Sequence, residues 1–157
     1  MTWIIIPGLN EEKYIETVLK KVSKHTANII FVDDGSTDKT AKIAKKYTTH
    51  VLSHAINLGK GAALKTGCEY AFKVLGATAV IFMDSDDQHN PEELQLFHTA
   101  LKTSDVVFGV RSFDEKMPLM RIVMNRLASV VIYFLFGEYI PDFPSGYKAL
   151  TKKAYQK

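Results

Sequence analysis

Five short runs rich in β-branched and aromatic residues, at 3–6, 29–32, 51–52, 79–83 and 106–110, alternate with longer stretches whose apolar residues recur at helical spacing. This alternation constrains the chain more than any other feature. Parallel strands need crossover connections, so strand–helix–strand repetition predicts an α/β domain with a largely parallel central sheet flanked by helices. Ile15, Val18, Leu19 and Val22 follow the i, i+3, i+4, i+7 pattern, and Leu64, Cys68, Ala71, Phe72 and Leu75 do likewise, which predicts two helices lying on the sheet. Asn90 as N-cap, Pro91 at the first helical position and Glu92 and Glu93 in the first turn predict a third, continued by Leu94, Phe97 and Leu101. A shorter helix is expected over 38–47. With 157 residues, one core and a single domain over 1–157 are expected.

Charge and composition exclude several classes. The net charge of +3 comes from Lys and Arg scattered among acids, so no basic stripe points to nucleic acid. One cysteine, Cys68, precludes an internal disulfide and fits a reducing compartment; its place on a helical apolar face predicts core packing. Trp3, on the first strand, is also expected in the core. The N-terminus lacks the basic start and long apolar run of a signal peptide, and the most apolar stretch, 127–136, is about half of what spans a bilayer. A cytoplasmic location is therefore expected.

The acids gather where ligands bind open parallel sheets, beyond the carboxyl ends of the strands. Asn10 and Glu11 follow the first run, Asp33 and Asp34 the second, and Asp84, Asp86 and Asp87 the fourth. Two carboxylates one residue apart, as in Asp84-Ser85-Asp86, suit a hard cation such as Mg2+, which is commonly held by one or two carboxylates plus substrate phosphates. An isolated Asp-x-Asp is more often a solvated turn, and an EF-hand is excluded by His89 at the position that needs Gly. In Asp33-Asp34-Gly35-Ser36-Thr37-Asp38 the glycine relieves a strand-to-helix turn and Ser36 or Asp38 can cap the helix, while the adjacent acids suggest a ribose or base contact. Asn57-Leu58-Gly59-Lys60-Gly61 opens a helix with small residues and a Lys, a geometry suited to phosphate, although such glycines are also common packing residues. The five His are too dispersed for zinc, with His89 alone near the acids.

Taken in order, Ile6-Pro7-Gly8-Leu9-Asn10-Glu11-Glu12, the 32–38 turn, 57–61, and Met83-Asp84-Ser85-Asp86-Asp87-Gln88-His89 with Pro91-Glu92-Glu93-Leu94 resemble the signatures of family 2 glycosyltransferases. Gln88-His89, Gly109-Val110-Arg111, Arg121, Arg126 and the segment Asp142-Phe143-Pro144-Ser145-Gly146-Tyr147 are similar to the dolichol-phosphate mannose synthase branch. The resemblance implies a Rossmann-like GT-A fold whose usual C-terminal part is missing, since the chain stops at Lys157 before such domains usually end. Leu9 stands where the family often has an aromatic residue. The implied roles assign Pro7, Asn10, Glu11 and Asp33 or Asp34 to the nucleotide, Lys60 and Gly61 to its phosphates, and Asp84, Asp86 and Gln88 to the metal (Mg2+ or Mn2+) and donor diphosphate. Asp86, Arg111, Arg121 and Arg126 would carry the reaction, the arginines facing the phosphate of a polyprenyl-phosphate acceptor. Residues 1–110 are thus expected to bind the nucleotide sugar, and 111–157 to form the acceptor side.

The stretch 118–136 adds a physical argument. On a helical wheel Arg121, Asn125, Arg126 and Ser129 form one polar stripe, and Met120, Ile122, Val123, Met124, Leu127, Val130, Val131, Phe134 and Leu135 cover the rest. Such a helix suits a core, a dimer contact or a membrane interface, with Tyr133, Phe136 and Tyr139 as interfacial aromatics. The expected activity is transfer of a hexose from a nucleotide diphosphate sugar to polyprenyl phosphate, by a peripheral protein on the cytoplasmic membrane face. A membrane-anchoring partner or a homo-oligomer accords with this. A phosphate acceptor is already anionic near neutral pH and needs no general base. The alternatives are transfer to a sugar hydroxyl with Asp142 as base, a nucleotide-sugar-binding module without turnover, and a haloacid-dehalogenase-like phosphohydrolase with Asp84 as nucleophile.

Overall fold

The computed structural model describes residues 1–110 and 146–157. Its elements run β1 (Thr2–Gly8), α1 (Ile15–Val22), β2 (Ile29–Asp33), α2 (Thr40–Ala44), β3 (His50–Ser53), α3 (Lys60–Glu69), β4 (Ala79–Phe82), α4 (Leu94–Ala100), β5 (Val106–Phe108) and β6 (Lys148–Thr151). A π-helical turn over Tyr70–Val74 extends α3, a 3-10 turn over Pro91–Glu93 leads into α4, and a short helix, Lys152–Tyr155, follows β6.

One sheet carries the strands in the order β3-β2-β1-β4-β6-β5. β1 pairs in parallel with β2 and β4, and β2 with β3, whereas β6 runs antiparallel between β4 and β5. The five runs read from the sequence are strands, with β5 ending at Phe108. The unexpected strand is β6. Its sequence, Lys-Ala-Leu-Thr, carries little β signal of its own, and burial of Ala149 at 0% exposure between two partners holds it in place.

Side chains alternate across β1. Ile4 and Ile6 join α1, α2 and α4 in a cluster with Val18, Leu19, Phe31 and Phe97, and Trp3 and Ile5 pack on the other face with Ala63, Cys68 and Phe72. Cys68 is core, as expected, and burial pushes its thiol up to about 12, out of the range of a reactive thiolate. The expected helix starts also hold. Asn90 accepts the Glu92 N–H at 3.1 Å ahead of Pro91. Asp38, not Ser36, serves the second helix, accepting the Thr40 N–H at 2.9 Å. Among the described residues no helix is long and apolar enough to cross a membrane. Arg111, Arg121, Arg126, Asp142 and the 118–136 stretch lie outside the described residues.

Candidate functional site

β1 has β2 on one side and β4 on the other, and chain order reverses there, so the loops beyond its carboxyl end diverge and leave a crevice. A cavity of about 320 Å³ occupies that place. Its wall includes Pro7, Glu11, Asp34, Lys60, Asp84 and Asp86, six of the residues expected at the site, drawn from four separate loops. Leu9, Asn57, Gly59 and Ser85 also line it.

The loop after β1 is bolted to the loop after β2. Asn10, in the left-handed region at φ 56°, donates its N–H to Ser36 Oγ at 2.9 Å and accepts the Thr37 N–H on its side-chain oxygen at 2.9 Å. The Glu11 N–H donates to Thr40 Oγ1 at 2.8 Å, and Glu12 and Asp38 carry reciprocal bonds to the Lys39 and Glu12 N–H groups. Asn10 therefore faces the neighbouring loop and is not among the residues that line the cavity. The bolts leave the Glu11 side chain directed at the crevice. Burial, then the charges of Asp86 and Asp38, raise its carboxyl above the ordinary value, so Glu11 and Asp86 repel each other across the site.

Of the two acids at the end of β2, Asp34 lines the cavity; Asp33, the last residue of the strand, is also buried and accepts the Ser36 N–H at 3.3 Å. Asp34 is densely engaged. It accepts the Leu58 N–H at 3.0 Å, the Gly59 N–H at 2.8 Å and the His54 Nδ1–H at 2.7 Å, and thereby folds the 57–59 turn beneath it. Burial pushes its carboxyl up, but the bonds from Leu58, His54 and Gly59 outweigh burial and leave it below the ordinary 3.8. Asp38 is lowered in the same way, with bonds from Thr40 and Glu12 outweighing burial. A carboxylate with a depressed folded pKa stabilises fully above its unfolded value, and that stability is lost as pH falls through the folded one. Thermal melts between about pH 2 and pH 6 are expected to show Tm falling below about pH 4, with a shallower fall in Asp34→Asn.

The turn after β4 is supported from behind. The Asp84 N–H donates to His89 Nδ1 at 3.0 Å, and the buried His89 ring stacks on Tyr147 with centroids 4.7 Å apart. Tyr147 in turn packs on Phe97 and donates its hydroxyl to the Asn90 carbonyl at 3.2 Å. Gly146 lies directly against the Asp84 carboxylate, where a Cβ would come within 2.6 Å of its Cγ. On the open side Lys60 Nζ meets Asp84 Oδ1 at 2.6 Å. His54, Gly146 and Tyr147 support the site without being among the residues expected there. Gly146 and Tyr147 fall within the quoted 142–147 segment, whereas His54 lies in none of the quoted motifs.

Gln88 was expected beside Asp84 and Asp86. It lines a neighbouring concavity with Lys21 and Lys24, because its N–H closes back on Asp86 Oδ1 at 3.1 Å and the chain turns away at Asp87, φ 63°. Lys21 clamps Asp87 at 2.7 Å. Gly61 does not line the cavity, and Gly59 does. Among the described residues no three His, Cys, Asp or Glu converge in a metal-binding group. Asp84 and Asp86 nevertheless suit a hard cation that takes its other ligands from phosphate and water, and the ammonium of Lys60 already shows Asp84 receiving a cation from the cavity side.

The sequence profile described as Glycosyl transferase family 2 matches residues 3–157. The chain is 33% identical to a UDP-N-acetylglucosamine–dolichyl-phosphate N-acetylglucosaminyltransferase of Methanococcus voltae, over 98% of this chain and 70% of that protein. It is 30% identical to a polyprenol monophosphomannose synthase of Mycolicibacterium smegmatis, over 99% of this chain and 63% of that one. Its fold is similar to that of Mycobacterium tuberculosis glucosyl-3-phosphoglycerate synthase, solved with Mn2+, uridine-diphosphate-glucose and phosphoglyceric acid. The TM-score is 0.75 at 25% identity, covering 98% of this chain and 57% of that one.

Proposed function

The chain belongs to glycosyl transferase family 2, and on that premise we propose that its cavity binds a nucleotide diphosphate sugar and that it is the donor half of a metal-assisted hexosyltransferase. The observation that carries this reading is the meeting of Asp84, Asp86 and Lys60 with Pro7, Glu11 and Asp34 in one crevice at the strand-order reversal. The nucleoside lies toward Pro7, Leu9, Glu11 and Asp34, and the diphosphate toward Lys60, Asp84 and Asp86. Asp33, held behind Asp34, supports the same loop. Asp84 and Asp86 would hold Mg2+ or Mn2+, which would supply positive charge against the leaving diphosphate. Lys60 adds a second positive charge on the same side, and Asp84 and Asp86 orient the donor so that its anomeric carbon faces the acceptor.

The acceptor in this reading is a polyprenyl phosphate, the acceptor class named in the two relatives. Its phosphate is nucleophilic near neutral pH without a base. Arg111, Arg121 and Arg126, outside the described residues, would hold that phosphate from the other side by forked hydrogen bonds. In this reading residues 1–110 form the donor part of a protein peripheral to the cytoplasmic membrane face, and 111–157 supply the acceptor side as well as β6 and the Gly146–Tyr147 support of the Asp84 turn. The second reading, transfer to a hydroxyl group, is favoured by the solved relative's complex with phosphoglyceric acid.

Calorimetric titration with UDP, GDP and their sugars, with and without Mn2+, tests the donor reading. One of the diphosphates is expected to bind, more tightly with metal, and at a hundred times its Kd to raise stability by about 2.7 kcal/mol. Absence of binding by either, with or without metal, would refute it. Product formation from the bound sugar nucleotide with polyprenyl phosphate, against phosphoglycerate and simple sugars, then separates the acceptors.

A further inference from the structure

His54 stands just beyond β3, outside every motif quoted above, and its side chain is 10% exposed. It does not line the cavity, and it is hydrogen-bonded to one residue that does, Asp34. Its Nδ1–H donates to Asp34 Oδ1 at 2.7 Å, since a carboxylate can only accept, and its Nε2 is hydrogen-bonded with the Thr66 hydroxyl at 2.9 Å. The ring therefore joins the end of β3, the loop after β2 and the body of α3 at one point. Its own N–H extends the β2–β3 pairing by donating to the Asp33 carbonyl at 2.9 Å.

The consequence lies one step further on. Asp34 is 3% exposed, and its two oxygens hold the Leu58 and Gly59 N–H groups, the last backbone donors before Lys60 starts α3. A buried carboxylate needs several donors to remain ionised. Without the imidazole, Asp34 keeps only the two N–H groups of a turn whose Leu58 side chain is 55% exposed and offers little packing. We infer that His54 is a positioning residue of the donor site: through Asp34 it sets the 57–59 turn, and through that turn the reach of Lys60 into the cavity. The inference rests on the donor reading above. The bond to Thr66 aligns the ring and is secondary, since Thr66 lies in a helix already packed on β1 and β2.

The two ring nitrogens can be tested apart. Asn places an amide nitrogen where Nδ1 stands and Gln places one where Nε2 stands, so His54→Asn keeps the Asp34 bond and His54→Gln keeps the Thr66 bond. Calorimetry with UDP or GDP and Mn2+ is expected to show His54→Ala and His54→Gln weakened about tenfold or more, and His54→Asn restored to within about threefold. Amide hydrogen exchange on the ligand-free proteins supplies a readout that needs no nucleotide. In His54→Ala and His54→Gln, exchange at Leu58 and Gly59 is expected to rise about tenfold while β1 amides stay protected. Exchange that rises equally in β1 would mean a role in stability alone and would overturn the inference. So would unchanged affinity and exchange in His54→Ala, or equal restoration by Asn and Gln. If His54→Ala does not fold, the Asn and Gln pair decides. A parent that binds neither nucleotide overturns the donor reading, while the exchange data still decide whether His54 sets the turn.

Discussion

Asp84→Ala and Asp86→Ala are expected to abolish the tightening of nucleotide diphosphate binding by Mn2+ and to leave the fold intact. The fold survives because neither side chain belongs to the core: the Asp84 side chain is 24% exposed, and both residues line the cavity. The backbone support of the turn also survives, since His89 Nδ1 accepts the Asp84 N–H at 3.0 Å while its Nε2 stands 3.9 Å from the carboxylate, and Asp86→Ala gives up only the exposed Gln88 N–H bond. Removing the Asp84 carboxylate strands the Lys60 ammonium, but at 53% exposure water solvates it at little cost. The loss is therefore concentrated in binding. A hydrogen bond or ligand contact to a charged group contributes on the order of 1.5 to 3 kcal/mol, so a ten- to hundredfold loss in the presence of metal is expected. Asp86→Ala has a second signature: Glu11, raised first by burial and then by Asp86, should move back toward its ordinary value. Carbon-detected titration of Glu11 reads that shift directly. Undiminished metal enhancement in either variant would count against the assignment.

Gly35→Ala is expected to cost about 2 to 5 kcal/mol, a large part of a domain's total stability. Gly35 sits at φ +81°, where an L side chain is strained, and a Cβ there would lie 2.6 Å from the Ile56 carbonyl carbon and 2.7 Å from the Asn57 nitrogen. Both are backbone atoms of the 56–59 loop, so no side-chain rotation relieves the clash. Either that loop is pushed off Asp34 or the turn after β2 unwinds, and each breaks the cradle around Lys60. Urea unfolding should show a lowered midpoint with unchanged slope, and the folded fraction should bind nucleotide diphosphate weakly. A loss below about 1 kcal/mol would mean that the two loops part more easily than their contact implies.

Much of the candidate site was legible because its chemistry is carried by residues at strand ends, and strand ends are the most readable points of an α/β sequence. Glu11, Asp34, Lys60, Asp84 and Asp86 are each placed beyond a strand or at a helix start by sequence alone, and they share one cavity. The strand-end rule also places Asn10, and the family resemblance places Gln88, but their directions depend on single backbone residues in the left-handed region. Asn10 at φ 56° turns toward Ser36 and Thr37, and Asp87 at φ 63° turns the chain so that Gln88 joins another concavity. Periodicity gives no access to such reversals.

The sequence by itself determined the element order, the two faces of the sheet and the line of acids along its carboxyl edge. Alternating and helical hydrophobic periods are local, and burial enforces them whatever the rest of the chain does. Tertiary structure alone decided the rest. It inserted β6 antiparallel between β4 and β5, bringing Gly146 and Tyr147 from late in the chain onto the Asp84 turn. It also spent Asp34 on the 57–59 turn with His54 beside it. Both outcomes come from packing and hydrogen-bond pairing between segments distant in sequence, where the partner that satisfies a buried group is chosen by the folded geometry and leaves no periodic trace in either segment.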